Sequence, residues 1–435
     1  MVVSVRTDFW TQASGLWTAQ LVHKAAILGF SFVVGHRLGA EGVGVMASVL
    51  ALSWIGGTLA GMGLPDRALF RGAAEDQSRA HRRLHGLFLT TVLVAHLGLW
   101  WAAPLLAGTD DLTLVVFARG LVIGAGLQCA SAVGLGWLRG SSNAQFEVIA
   151  TFCAAVLLVG GALLDGSLGM VWAVAGASLF VGSIAGNVRL QGLVPSFPQW
   201  ADGREALRAG LPYLAFGLGA WGIGNVDIVL GRLFHPPDAL GALQVGTMSV
   251  RGLGLLPWVA ATLMLRTLHL EWSEGGMPRP WVWLRNAAAV GVLVAALAWV
   301  VMPFLAQGHA LPVSAIERST WVSMLFAPVL YPLILLMPIA AQWSLRSTLK
   351  GLGMGAITQV GVGVMAMEQV EVATCVFVGG VGQLVALMWI INALRSVPEE
   401  RREMDGSTSI PGIDLGALAG ESAPSVDLRP IQSEE

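Results

Sequence analysis

Apolar residues along this chain do not alternate or recur on one helical face; they come in runs of about twenty, long enough for a helix to cross a bilayer. Twelve such runs are predicted to be helical spans: 15–35, 43–64, 86–106, 112–135, 146–164, 168–186, 211–230, 241–265, 287–305, 321–341, 351–367 and 373–394. The segments between them are short and polar. Many tryptophans fall near span ends, among them Trp100, Trp101, Trp137, Trp172, Trp281, Trp283, Trp321 and Trp343. That placement predicts an aromatic belt at the membrane–water boundaries.

Composition agrees with the pattern. Charged residues make up 12% of the 435 positions and the mean hydropathy is +0.69, whereas soluble domains carry about 25% charged residues. Glycine, at 55 residues, is abundant as expected where helices approach closely in lipid. The expected fold class is an all-α polytopic membrane protein with about twelve transmembrane helices. The opening residues lack an apolar core followed by a small-residue cleavage site, so the first span is expected to serve as its own insertion signal.

Basic residues set the orientation. With the N-terminus inside, 19 of 25 Lys and Arg fall on cytoplasmic segments. Five of them, Arg67, Arg71, Arg79, Arg82 and Arg83, crowd the loop after the second span. Outer loops hold only Arg37, Arg232 and Arg318 beside eight acids, and the longest is expected to be about fourteen residues around His309 to Arg318. Both termini are therefore expected inside, in a bacterial inner membrane. The last forty residues carry nine acids and three arginines and are expected to be a disordered acidic tail. The net charge of −2 comes from that tail, and nothing in the body suggests nucleic acid as a partner.

Weak internal echoes divide the chain. Arg37-Leu38 follows the first span and Arg232-Leu233 the seventh; Trp137-Leu138-Arg139 closes the fourth and Trp343-Ser344-Leu345-Arg346 the tenth. The expected organisation is a six-helix half over 1–190, a cytoplasmic linker over 191–208, a second six-helix half over 209–395 and the tail over 396–435. Six is even, so the halves enter from one side as parallel repeats around a central cavity, an arrangement used for alternating-access transport.

Charges inside spans mark function more often than packing, because each costs at least ~2.5–3.5 kcal/mol on insertion scales. Lys24, Arg119 and Arg251 are the mid-span cations, with Gln20 one turn before Lys24 on the same face. Asp227, beside Asn225, is the clearest buried acid, whereas Glu147 at the start of the fifth span reads as interfacial. Two readings stand open. Lys24, Gln20, Arg119, Arg251 and Asn225 line a cationic substrate cavity, with Asp227 as coupling group; or Asp227 neutralises Lys24 or Arg251 and joins the halves. Arg119 has a further alternative in snorkelling outward. Pro328, Pro332 and Pro338 in the tenth span are hinge candidates or static kinks, since proline removes a backbone donor. His23 and His96 read as packing residues, as do Cys129, Cys153 and Cys375, whose spacing makes neither a metal site nor a disulfide framework. Gly57 and Gly61 read as a close-packing pair.

Other classes fit poorly. A P-loop needs Gly-Lys-Ser/Thr, and the two lysines follow His23 and Leu349. No His-Glu-x-x-His, nucleophile elbow or cofactor motif is present, so an enzyme such as a polysaccharide polymerase is disfavoured and no metal or cofactor is expected. The residues 35–44 (GHRLGAEGVG), 63–67 (GLPDR), 210–212 (GLP) and 227–232 (DIVLGR) resemble the Wzx-type oligosaccharide flippases of the multidrug/oligosaccharidyl-lipid/polysaccharide exporter superfamily. That resemblance implies flipping of a polyprenyl-pyrophosphate-linked oligosaccharide for cell-surface polysaccharide synthesis, among membrane lipids; the acidic tail is expected either to stay solvated or to recruit a cytoplasmic glycosyltransferase. A multidrug antiporter of the same superfamily is the alternative. Outward movement of an anion is downhill by about 2.3 kcal/mol per charge per 100 mV, so a cationic cavity suits such cargo without obligatory ion coupling.

Overall fold

The computed structural model describes residues 2–71, 79–140, 145–164, 166–191, 200–254, scattered positions from 257 to 268, 278–366 and 372–396. The acidic tail, the glycosyltransferase role suggested for it and linker residues 192–199 lie outside these. Every regular element among the described residues is helical. In order they are α1 (Val2–Ala60), α2 (Leu64–Arg71), α3 (Arg79–Trp101), α4 (Ala103–Ala107), α5 (Leu112–Gly140), α6 (Gln145–Leu163), α7 (Leu168–Gln191), α8 (Trp200–Phe234), α9 (Pro237–Arg251), α10 (Pro280–Gly308), α11 (Val313–Trp343), α12 (Leu345–Ala366) and α13 (Val372–Arg395).

Eight described helices are long and apolar enough to cross a membrane, and the first, Ser14–Ala60, is 47 residues long. It holds the first two anticipated spans, folded at Gly39, whose φ of 68° and ψ of −169° are open essentially to glycine alone. The shorter apolar helix His85–Trp101, with α9 and α12, supplies the remaining segments. An all-α, multi-span membrane architecture follows.

Several boundaries differ from expectation. The third span breaks at Ala102 into α3 and α4, because Pro104 lacks the N–H an unbroken helix would need. Positions 200–208, expected as linker, are the opening turns of α8. The outer loop anticipated as fourteen residues is four, His309 to Pro312, since α11 begins at Val313; its first turns are polar, and a hydropathy count could not see them. Within the eighth span, α9 stops at Arg251 and tightens into a 3-10 turn over Gly252–Gly254. Glycine on both sides of Leu253 makes that position a poor place to propagate an α-helix.

Buried apolar side chains form one large cluster around α1, α5, α6 and α7, which also takes in Leu305 and Ile316 from α10 and α11. A second joins α8, α11, α12 and α13. Two of the expected boundary tryptophans belong to these cores: Trp172 is buried and tilts against Phe30 with ring centroids 5.5 Å apart, and Trp343 packs in the second cluster. Cys129 and Cys375 are buried as expected, whereas Cys153 is exposed on α6.

The sequence stretches that carried the family resemblance lie where the early helices meet the later ones. A Cβ at Gly44 would fall on the carbonyl oxygen of Pro237, and one at Gly241 on that of Ala40. At the opposite end of the helices, a Cβ at Gly63 would meet Gly210 and Leu214 main chain, and one at Gly210 would meet Met62. Main chain thus touches main chain at both ends. The end bearing Gly39, Thr109, Pro236 and Ala310 is the one that charge asymmetry assigns to the outside, and is called the outer end below.

The two Arg-Leu echoes perform parallel work there. Arg37 donates from Nη2 to the carbonyl of Ala162 at the end of α6, at 3.1 Å. Arg232 donates to the carbonyls of Leu106 and Leu105 at the end of α4, at 3.4 and 3.2 Å. A cation beside the last carbonyls of a helix satisfies acceptors that have no helical partner and complements the dipole.

Candidate functional site

The anticipated mid-span charges separate into three places. Arg251 forms a bidentate ion pair with Asp227: Nη1 to Oδ1 is 2.9 Å and Nη2 to Oδ2 is 2.8 Å. Asp227 is fully buried, while the arginine side chain keeps 21% exposure. Both residues belong to adjacent helices of the second group, α8 and α9, so the pair does not join the halves. Arg251 is the last residue of α9 before the 3-10 turn, where the helix dipole favours a cation. The turn frees backbone acceptors, and Tyr331 answers one: its hydroxyl, fully buried, donates to the carbonyl of Val250 at 2.9 Å.

This links the proline-rich helix to the broken one. Tyr331 stands next to Pro332 on α11, which continues as a helix through Pro328, Pro332 and Pro338, the latter two buried. Tyr331→Phe is expected to lower stability by about 1–3 kcal/mol, because a buried carbonyl loses its donor. Thermal unfolding in detergent checks this; an unchanged melting temperature would mean that water already serves Val250.

The second place is on α1. Gln20 donates from Nε2 to Glu147 Oε1 at 3.2 Å. Glu147, in the first turn of α6, is fully buried by protein; its place at the helix end is as expected, and its cover comes from the packing of α6 on α1. One turn along, Lys24 is half-buried and makes no hydrogen bond or ion pair among the described residues. The structure brings Asp227 to Arg251 and Gln20 to Glu147, but not Asp227 to Lys24. Asn225 turns its amide onto its own helix, donating to the Trp221 carbonyl at 3.1 Å.

The third place is nearer the outer end. The Arg119 guanidinium lies 4.7 Å from the ring centroid of Trp100, a cation–π arrangement. A tryptophan expected only as a boundary anchor therefore holds a charge. His96 bonds through Nδ1 to the Val92 carbonyl at 2.8 Å, as expected of packing. Gly57 and Gly61 admit Cys129, His96 and Phe88.

Sequence reasoning missed two buried glutamines. Gln383 and Gln359 donate to the Ile223 carbonyl on α8 at 3.1 and 3.4 Å, and Gln359 also to Gly379 at 3.0 Å. The signal was their isolation in apolar spans, where an amide must find partners. At the inner end, Asp66 rests against Gly217 of α8, and desolvation raises its carboxyl to about 7. Among the described residues no group of His, Cys, Asp and Glu is placed to hold a metal ion.

No family model and no curated protein matches the sequence. Solved structures do. The chain is similar to a MATE transporter in complex with MaL6, at 16% identity and a TM-score of 0.57 over 89% of this chain and 96% of that one. It is similar to an outward-facing multidrug resistance MATE family transporter of the MOP superfamily, at 17% and 0.53 over 89% and 96%. A MOP superfamily transporter from Pyrococcus furiosus, described as having a binding pocket of reversed polarity, matches at 18% and 0.58 over the same shares. The chain has the fold of the MATE-type transporters of the MOP superfamily.

Proposed function

We propose that this protein is an alternating-access exporter whose cargo is an amphiphilic anion, and that the cargo is a lipid-linked oligosaccharide carried on its pyrophosphate. The observation that carries this reading is Lys24. A charge within a span ordinarily has a partner, and Arg251 has Asp227, yet Lys24 has none among the described residues. A counter-ion that arrives with the cargo completes the pair, and Gln20, steadied by Glu147, stands one turn away to add a hydrogen bond. The six-plus-six organisation and the motif resemblance support the same reading, with the two groups of helices rocking about their end contacts.

A second reading, export of drugs by antiport, is favoured by the likeness to multidrug MATE structures. The charge balance separates the two. Hydrophobic cations call for a free carboxylate, and here Asp227 is committed to Arg251 and Glu147 accepts from Gln20.

The test is a deletion strain in which the leaflet holding lipid-linked oligosaccharide is measured. Wild type and Lys24→Arg should restore outer-leaflet delivery, while Lys24→Ala should reduce it by roughly tenfold or more, the scale of losing one charge-assisted bond. Normal delivery in the deletion strain, or wild-type flipping by Lys24→Ala accompanied by dye efflux, would replace the oligosaccharide reading with drug export.

A further inference from the structure

At the outer end the loop His309–Pro312 closes over α1. A Cβ at Gly35 would meet the His309 main chain at 2.9 Å, so only glycine lets the two segments touch this closely. The loop is fixed by its own backbone: Ala310 adopts a φ of 54°, and Leu311 N–H returns to the Ala306 carbonyl at 2.9 Å. These bonds place the imidazole of His309, which belongs to the later helices, against the first span. It is fully buried, edge-on to Phe32 with ring centroids 4.7 Å apart.

The ring's bonds are specific. Nδ1 is 2.8 Å from the Leu305 carbonyl, so Nδ1 carries a proton. Nε2 is 3.0 Å from Ser31 Oγ, and that hydroxyl is also 2.7 Å from the Leu28 carbonyl. Ser31 has one proton for these two acceptors, with the Met248 sulfur a weak third at 4.0 Å. With a neutral ring the hydroxyl gives its proton to Nε2 and forgoes Leu28. With an imidazolium, Nε2–H donates to Ser31 and the hydroxyl is released to Leu28. A second ring proton therefore has a ready acceptor.

We infer that His309 and Ser31 form a proton-binding site in the outer contact, and that a proton taken up from the outer face opens that contact. The inference rests on the transport reading above and names its coupling ion. Among the described residues the buried ring has no carboxylate partner. Of the charged groups on the packed elements, namely His36, Arg37 and Glu41 on α1, Asp238 on α9, and Glu317 and Arg318 on α11, only His36 acts on it, and it repels. Burial is the largest influence and pushes the ring below its ordinary value, against the bond to Leu305, which raises it. Opening the contact hydrates the ring and restores the ordinary value. Protons accordingly bind the open state better, and falling pH favours opening.

The experiment uses the full chain in detergent, with its cysteines replaced and spin labels at positions 110 and 238, both exposed at the outer end. Distance distributions are recorded from pH 8 to 5.5 without cargo. In the parent the separated population should rise about tenfold relative to the closed one per unit of difference between the two ring values. His309→Gln should give a flat profile. Ser31→Ala should move the midpoint, and His36→Gln should keep a pH response of smaller size, because the charge that repels the ring proton in the closed contact is gone. No pH response in the parent, or an unchanged response in His309→Gln, would overturn the inference. Should His309→Gln fail to fold, an unmoved midpoint in Ser31→Ala would overturn it equally. Because no cargo is present, a failed flipping assay would refute the oligosaccharide reading and leave this result standing.

Discussion

Arg251→Leu is expected to destabilise the protein by about 3–5 kcal/mol, the usual consequence of removing one partner from a buried ion pair. It strips a fully buried carboxylate, Asp227, of the guanidinium that donates to Oδ1 and lies 2.8 Å from Oδ2. Asp227→Leu should be milder, because the arginine that remains keeps 21% of its surface and can turn toward water. The double replacement should recover most of the loss, since two apolar residues leave no charge to desolvate. Thermal unfolding of the four proteins in one detergent gives the cycle. Equal losses in both single variants would mean that the buried carboxylate finds another donor when Arg251 is gone. Full additivity would mean that the pair contributes nothing to stability, and that both residues remain free for cargo or coupling.

The second large effect is expected at Gly44. A side chain there collides with the Pro237 carbonyl oxygen, and neither main chain can retreat without unwinding a helix end. Overpacking of this kind costs about 1–3 kcal/mol. Unlike a core defect, the strain of Gly44→Val falls only on the state in which the outer ends touch. At 1.4 kcal/mol per tenfold, the closed population should fall by roughly ten- to hundredfold, and export should fall with it while expression and membrane insertion persist. Cross-linking of cysteines at positions 41 and 238 measures the closed population directly. Undiminished cross-linking would show that the contact shifts to accommodate the side chain.

How much of this could be read from sequence depends on the range of the interaction. Apolar runs are local, and the all-helical, many-span architecture followed from them. Asp227 and Arg251 were each recognisable as costly, but choosing Arg251 over Lys24 as the partner needed the crossing of α8 with α9. Glu147 was legible as a residue at a helix end but not as a buried one, because its cover depends on α6 leaning on α1, which nothing within the nineteen residues of α6 specifies. The end of α9 at Arg251 was written in Gly252 and Gly254, yet an apolar run conceals it, since 3-10 and α turns have the same composition. Trp100 and Trp172 were placed correctly along their helices and assigned the wrong surroundings, because a boundary tryptophan faces lipid or protein according to helix rotation. His309 was visible only as a loop residue. Its importance comes from a glycine nearly three hundred positions earlier.

The contacts at both ends of the helices are made by main chain on main chain, through Gly44 with Gly241 and Gly63 with Gly210. Such a contact asks for the absence of side chains at a few places and leaves its surroundings free to drift, because a peptide group is the same in every protein. Divergence can then run very far before the architecture is lost, which accords with a shared fold at 16 to 18% identity. Proteins that share this arrangement should be recognised by small residues at those four places sooner than by any charge within their spans.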